Sequence, residues 1–422
     1  MAERVAGSRH LLPGVDSPGI KEFRQGTHRT VSPAETVARA RSLMAAMGIT
    51  RIANITGLDR IGIPVAVACR PNSRSLAVSQ GKGLDPEAAR ASALMESIEL
   101  HHAEHITLPV KFGSYEELKK THSLAEVEKL PRVHNSLFHP HLALLWVEGF
   151  DLLQQQPAWV PFEMVSMNYT LPFPPGSGCF QATSNGLASG NHLLEAVSQG
   201  ICEVVERDAT TLWRLSREAS QRARLVDLTT VDDPACREAL EKFERAGVAV
   251  AVWETTTDVG IPAFRCTIAE RRDDPLRPLY TIDGMGCHPS RSIALLRALT
   301  EAAQGRLTYI AGSRDDLYRE TYELASSPAT AQRKRRQMKS RGRRRGFRDT
   351  PDWQGETLLA DVLWELERLQ KAGIEQVVVV DLTRPEFGVP VVRVVIPGLE
   401  GIYPEPDYAP GARAQALLES QS

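Results

Sequence analysis

An α+β fold is what the sequence predicts. Three long helical patterns stand among short runs rich in β-branched residues. The two kinds of segment alternate without the regular strand–helix–strand repeat of a doubly wound sheet. With 422 residues, 42% apolar and 24% charged, the chain can bury a sizeable core. No internal repeat is visible.

Residues 1–30 are polar and punctuated by Gly and Pro, and predict an extended arm. Ser32-Pro33-Ala34-Glu35 is a helix start, with Ser as cap, Pro first and Glu third, and predicts a helix to residue 48. Strands are expected at 51–55 and 63–70, and a long helix at 86–105. A second long helix is expected at 192–213, strands at 248–254 and 263–269, a third helix at 292–310, and strands at 376–382 and 389–396. Residues 333–348 hold ten Lys/Arg in sixteen positions and no acid. That run predicts a solvated, mobile insert (about 330–350), with a docking surface for an acidic partner as the alternative. Only Phe347 interrupts it, so stacking on nucleic acid is not expected.

Charge and motif content exclude several functions. Fifty basic against 52 acidic side chains rule out a generally basic nucleic-acid binder. No apolar run reaches the roughly 18 to 20 residues of a membrane span. Arg4, Arg9, Lys21 and Arg24 precede no apolar stretch, so no signal peptide is expected and a cytoplasmic location is the default. The nearest of the six cysteines are 21 residues apart, which predicts reduced thiols and no zinc site. There is no GxxxxGK[ST] loop, GxGxxG, GxSxG or HExxH, and Gly81-Lys82-Gly83 reads as a turn. A nucleotide would then have to be held through Mg2+ clamped by carboxylates.

Each long helix carries a polar stripe. At about 100° per residue from Asn191, Glu195, Glu206, Gln199, Glu203 and Arg207 fall between about 40° and 160°. Leu193, Val204, Val197, Ile201, Leu194 and Val205 fall between about 200° and 320°. The stripe contains no Lys, unlike an ordinary solvated face. Cys202 lies on the border and is read as structural. In the first helix Ser92, Glu96 and Glu99 share a face opposite Ala91, Leu94, Met95 and Ile98. Two unpaired acids three apart repel, which a metal would relieve. In the third, Arg297, Glu301 and Gln304 share an arc, while Arg306 lies about 140° from Glu301. Taken singly, each stripe is equally a solvated surface.

Together the three motifs resemble the YcaO-domain family. Glu195-x3-Gln199-x3-Glu203-x2-Glu206-Arg207 resembles its ExxxQxxxExxER signature, and Ser92-Ala-Leu-Met-Glu96-x2-Glu99 its first carboxylate motif. Asn185-Gly186 and Asn191 resemble the lead-in to the second motif, and Glu301-Ala-Ala-Gln304-Gly-Arg306 the third. Asp381-Leu-Thr-Arg384, Pro390-Val-Val-Arg393 and Pro397-Gly-Leu-Glu400 resemble its C-terminal strands. The resemblance spans residues 29–403. It implies a YcaO-like α+β fold with mixed or antiparallel sheets and long helices around a central ATP site. The implied domains are an arm at 1–30, a catalytic domain at 31–405 and a flexible tail at 406–422. It implies ATP and Mg2+ as cofactors, with Glu96, Glu99, Glu203 and Glu206 holding Mg2+. Arg29, Thr36, Lys82, Ser92, Asn191, Glu195, Gln199, Arg207, Gln304 and Arg306 would contact ATP, and Glu203, Glu206 and Arg207 would be catalytic. One departure is Leu100, where the family often has Arg. Standalone members near the TfuA-associated group often carry an apolar residue there.

The implied reaction activates a peptide backbone amide by O-phosphorylation. An external sulfur nucleophile yields a thioamide, and a substrate Cys, Ser or Thr side chain yields an azoline. The chain has no room for a fused partner domain of roughly 250 to 300 residues. Its end, Pro404-Glu-Pro406-x3-Pro410, is not the PxPxP tail of azoline formers. Both favour thioamide formation in peptide or protein modification. An azoline-forming cyclodehydratase of a ribosomal peptide pathway is the alternative, as is a non-catalytic accessory factor for ribosomal-protein methylthiolation. The implied partners are a peptide or protein substrate, a TfuA-like or leader-peptide-binding chain and a second copy in a homodimer, with no nucleic acid and no membrane.

Overall fold

The computed structural model describes residues 11–271, 281–339, 344–405 and 407–421. In chain order the strands are β1 Arg51–Asn54, β2 Val65–Cys69, β3 Val78–Lys82, β4 Val110–Ser114, β5 Ala143–Asp151, β6 Gln156–Pro161, β7 Leu187–Ser189, β8 Val248–Glu254, β9 Ala263–Glu270, β10 Thr281–Cys287, β11 Val378–Asp381 and β12 Val391–Val395. The main helices are α1 Pro33–Arg41, α2 Pro86–Glu104, α3 Leu193–Leu215, α4 Pro234–Arg245, α5 Arg291–Ala311, α6 Pro328–Met338, α7 Leu358–Lys371 and α8 Ala412–Glu419. The fold is α+β with antiparallel sheets, as the sequence predicts. The chain forms two interleaved compact units. The first is Arg24–Ile98 with Ser216–Gln354; the second is the described residues through Phe23, Glu99–Leu215, and those from Gly355 on.

The first unit holds two three-stranded antiparallel sheets, β1-β2-β3 and β10-β9-β8. Helix α5 lies almost on the backbone of β10. A Cβ on Gly284 would stand 2.3 Å from the Ala302 nitrogen, and one on Gly286 2.1 Å from the Ala294 oxygen. Only glycine facing alanine permits that approach. Phe243, Phe264 and Phe347 fill the core beside Leu295 and Leu299.

The second unit is built on a six-stranded antiparallel sheet, β4-β5-β11-β12-β7, with β6 paired to β5. Helix α3 packs on β12 and β7 through Leu194, Val197, Ile201 and Val204, all buried as the helical spacing predicts. Helix α7 packs on α3 and buries Glu365, which accepts from Ser198 Oγ at 2.7 Å and Cys202 Sγ at 3.4 Å. Burial, then the neighbouring Cys202, raises the Glu365 carboxyl well above the usual carboxylate range.

Several expectations are revised. Helix α1 ends at Arg41, where Ser42 Oγ bonds back to the Arg39 carbonyl at 2.8 Å and competes with the helix; residues 42–48 follow as turns. Gly81 and Lys82 end strand β3 and form no turn. The described part of the basic run is docked rather than loose. Residues 328–338 are helical, Lys334 pairs with Asp283 at 2.8 Å, Arg345 pairs with Glu254 at 2.7 Å, and Phe347 is fully buried. Residues 340–343 of that run lie outside the described residues, as do 1–10 of the arm with Arg4 and Arg9, and Pro406 and Ser422 of the tail. The rest of the arm is anchored by Lys21, buried against Asp361 at 2.5 Å. The tail carries α8, whose Arg413 pairs with buried Asp208 at 2.9 Å. All six cysteines are free thiols. Among the described residues no helix is long and apolar enough to cross a membrane.

Glu365 gives a direct test of the buried acid. A carboxyl whose folded pKa is raised binds its proton more tightly when folded, so stability falls as pH rises above the unfolded value. Glu365→Gln keeps the shape without the proton. Urea midpoints between about pH 5 and pH 9 should fall less in the variant than in the parent chain. Parallel pH dependences would show that Glu365 is ionised in the fold.

Candidate functional site

Strands β3, β10 and β7 each end their sheet. An edge strand leaves backbone N–H groups without a strand partner. In each case a carboxylate on a motif helix accepts one. Gln80 N donates to Glu96 Oε2 at 3.3 Å, and Met285 N to Glu301 Oε1 at 3.1 Å. Ser189 donates to Glu99 Oε1 from both its nitrogen and its hydroxyl, at 2.8 and 2.7 Å. One oxygen of each acid is thereby fixed, and with it the direction of the carboxylate.

In the first unit, β3 faces α5 across a polar seam. Lys82 Nζ stands 3.1 Å from Glu301 Oε2, Gln304 Nε2 donates to the Gln80 carbonyl at 3.1 Å, and Thr308 Oγ1 donates to Gln80 Oε1. Gln304 Oε1 and Gln80 Nε2 are buried with no protein partner. Unmet buried amide atoms cost free energy, and a bound polar ligand would relieve it. Ser92 is half-buried one turn before Glu96. Two other nominated residues make local bonds. Arg29 Nη1 donates to the His28 carbonyl at 3.2 Å, and the buried Thr36 donates its hydroxyl to the Ser32 carbonyl at 3.1 Å.

Arg306 stands differently from the expectation that it contacts ATP. It is buried, its Nε 2.9 Å from Asp59 Oδ2 and its Nη2 2.7 Å from Glu270 Oε1. Its angle on α5 turns it away from Glu301, and two buried acids occupy its guanidinium. It fastens α5 to Asp59 and Glu270 within the first unit.

In the second unit the polar stripe of α3 is not a solvated face. Glu195 is 2% exposed and Glu206 8%, while Gln199, Glu203 and Arg207 are half-buried. Asn191 Nδ2 reaches Glu195 Oε1 at 3.5 Å, and Arg207 Nη1 stands 3.1 Å from Glu206 Oε1. Leu100 is buried, where an Arg would have no water. Cys202 is buried, in keeping with a structural role. From β12, Arg393 lies fully buried; burial lowers its pKa to about 10, against the supporting charge of Glu203. It stays cationic at neutral pH.

The donor chemistry suits a hard cation. Glu96 with Glu99, and Glu203 with Glu206, are pairs at i,i+3 spacing that offer only carboxylate oxygens, the ligands Mg2+ takes. Among the described residues no three His, Cys, Asp or Glu side chains already converge as a preformed metal cage. Mg2+ commonly keeps waters and substrate oxygens and needs few protein ligands. Reading the sequence missed Gln80 and gave Arg393 no role. Gln80 precedes Gly81-Lys82-Gly83 in a run too polar to signal a strand, and Arg393 interrupts an otherwise apolar strand.

Residues 80–400 match the family described as the YcaO cyclodehydratase, ATP- and Mg2+-binding. An uncharacterized protein in the tfuA 3' region of Rhizobium leguminosarum bv. trifolii is 37% identical over 391 residues, 91% of this chain and 90% of that one. The solved structure of YcaO from Methanopyrus kandleri bound with AMPPCP and Mg2+ has a TM-score of 0.70 at 26% identity, covering 90% of this chain and 95% of that one. A heterocyclase in complex with substrate and cofactor shares the fold, with a TM-score of 0.75 at 24% identity. Here 90% of this chain spans 53% of the heterocyclase, about half its length.

The placement of Arg306 separates fastening from binding. Arg306→Met should cost about 3 to 5 kcal/mol, because it leaves buried acids uncompensated. Gln304→Ala should cost far less stability. Urea unfolding of both variants checks this, and an Arg306→Met chain as stable as the parent would contradict the assignment.

Proposed function

The chain belongs to the YcaO family, and on that premise we propose that it uses Mg2+ and ATP to activate peptide backbone amides by O-phosphorylation, with thioamide formation as the outcome. The observation that carries the activation is that the motif carboxylates Glu96, Glu99 and Glu301 are each aimed by an edge-strand N–H. The relative in the tfuA 3' region supports the thioamide outcome.

In this reading Glu96, Glu99, Glu203 and Glu206 hold Mg2+. Asn191, Glu195, Gln199, Ser92 and Gln304 surround the nucleotide, with Gln304 Oε1 offering an unmet buried acceptor. Lys82 and Arg207 supply positive charge, each already beside an acid that orients it. Arg29 and Thr36 would contact the phosphates. A backbone amide is a poor electrophile, and when bound Mg·ATP supplies the phosphoryl group that makes its oxygen a leaving group. The protein contributes positioning and charge neutralisation, so no Cys/His or Ser/His nucleophile is required. A separate partner chain presenting the peptide, and a homodimer, belong to the same proposal.

Ring formation is the second reading, favoured by the family's description as a cyclodehydratase. Intact-mass analysis of a co-expressed precursor peptide separates the two. A gain of about 16 Da per site marks a thioamide, and a loss of about 18 Da a ring, because the two differ in which nucleophile adds. Glu203→Gln and Glu206→Gln should each abolish peptide-stimulated ATP turnover while leaving the thermal unfolding midpoint near that of the parent. Turnover retained in both variants with Mg2+ present would overturn the metal assignment.

A further inference from the structure

The basic run begins in α6, and the fold gives that helix two different faces. Its inner face is seated on the first unit. Ala331 is buried, and Lys334 Nζ stands 2.8 Å from Asp283 Oδ2 on β10. From β9, Arg265 Nη2 meets the same oxygen at 2.5 Å, and Thr267 Oγ1 donates to Asp283 Oδ1 at 2.6 Å. Beyond the helix, Arg345 and Arg348 pair with Glu254 and Asp232 at 2.7 and 2.6 Å. The outer face carries Arg333, Arg336 and the C-terminal cap Lys339. At about 100° per residue the three fall within about 120° of the circumference. All are exposed, and none makes an ion pair among the described residues.

Other helices of this chain treat their exposed cations differently. Glu35 pairs with Arg39 in α1 at 2.7 Å, Glu238 with Lys242 in α4 at 3.1 Å, and Glu367 with Lys371 in α7, each one turn apart. Such pairs stabilise a helix, and like charges on neighbouring turns destabilise it. Helix α6, Pro328–Met338, contains no acid, so its stripe keeps that repulsion. A stripe of one sign calls for a partner of the other. Phe347, the one aromatic side chain of the basic run, is fully buried, so the stripe offers a nucleic-acid base nothing to stack on. The other exposed residues of the helix, Pro328, Ala329 and Gln332, are too small or too polar to enter a lipid surface. Carboxylates on a polypeptide fit what is left. Arg333 and Lys339 lie about 9 Å apart along the helix axis, close to the span of acids two turns apart on a facing helix.

We propose that Arg333, Arg336 and Lys339 form a docking stripe for an acidic segment of a separate polypeptide, whose carboxylates pair with the three cations. Lys334 and Asp283 hold the stripe in place from behind. Docking there uses none of the motif carboxylates.

The test is fluorescence anisotropy of a short, labelled, glutamate-rich peptide titrated with the full chain. Saturable binding that weakens as salt rises is the expected result. Arg333→Gln, Arg336→Gln and Lys339→Gln combined should weaken it about tenfold, because each surface ion pair contributes little alone. Arg39→Gln, Lys242→Gln and Lys371→Gln combined change the net charge equally and should leave the affinity near that of the parent. The α6 variant should keep the parent's urea midpoint or raise it, since it removes like-charge repulsion. A midpoint well below the parent's would show that the three cations hold the fold together, and would overturn the proposal. So would no binding of the peptide, or equal losses in the two variants. Tighter binding of a single-stranded oligonucleotide, or of anionic phospholipid vesicles, than of the peptide would overturn it in favour of that other partner.

Discussion

Three sheet edges, at Gln80, Met285 and Ser189, each give a backbone N–H to a carboxylate on a motif helix. An edge strand left bare would invite pairing with another chain, and a helix carrying unpaired acids would repel itself. Each problem answers the other. The strand gains an acceptor, and the acid gains a fixed direction. The close approach that makes this geometry available depends on small residues. Gly81 lets α2 settle on β3, as Gly284 and Gly286 let α5 settle on β10. A carboxylate aimed by a backbone amide still has oxygen lone pairs for a cation, which is what a phosphate-handling metal requires.

The other charged groups divide by what they touch. Arg306 is enclosed by Asp59 and Glu270, and Lys21 by Asp361; these fasten segments distant in sequence. Lys82 and Arg207 each lie beside a motif acid at partly exposed positions. Arg393 differs from both kinds, being fully buried with two donors unmet. Residue type alone distinguishes none of these arginines and lysines. Their burial and partners do.

Much of this was legible in the sequence, and the limits have physical causes. The α3 stripe was readable because helical spacing separates its acids from Leu194, Val197 and Ile201, all of them buried. The strands β8, β9, β11 and β12 announced themselves through β-branched runs. Strand β3, Val-Ser-Gln-Gly-Lys, did not, because its residues serve close helix approach and polar contacts instead of an apolar alternation. The bond from Ser189 to Glu99 joins residues 90 apart, and no local pattern encodes it. Arg306 shows the reverse. Its angle on the helix already argued against a shared site with Glu301, whereas motif resemblance placed it there. The angle describes where the structure puts it.

The central claim is that the motif carboxylates serve Mg2+-dependent nucleotide binding. Equilibrium binding of AMPPCP to the full chain, titrated with and without Mg2+, tests it most directly. Saturable binding that tightens strongly with Mg2+, and loses that Mg2+ dependence in Glu99→Gln, is the predicted result. Binding indifferent to Mg2+, or no binding at all, would contradict the account.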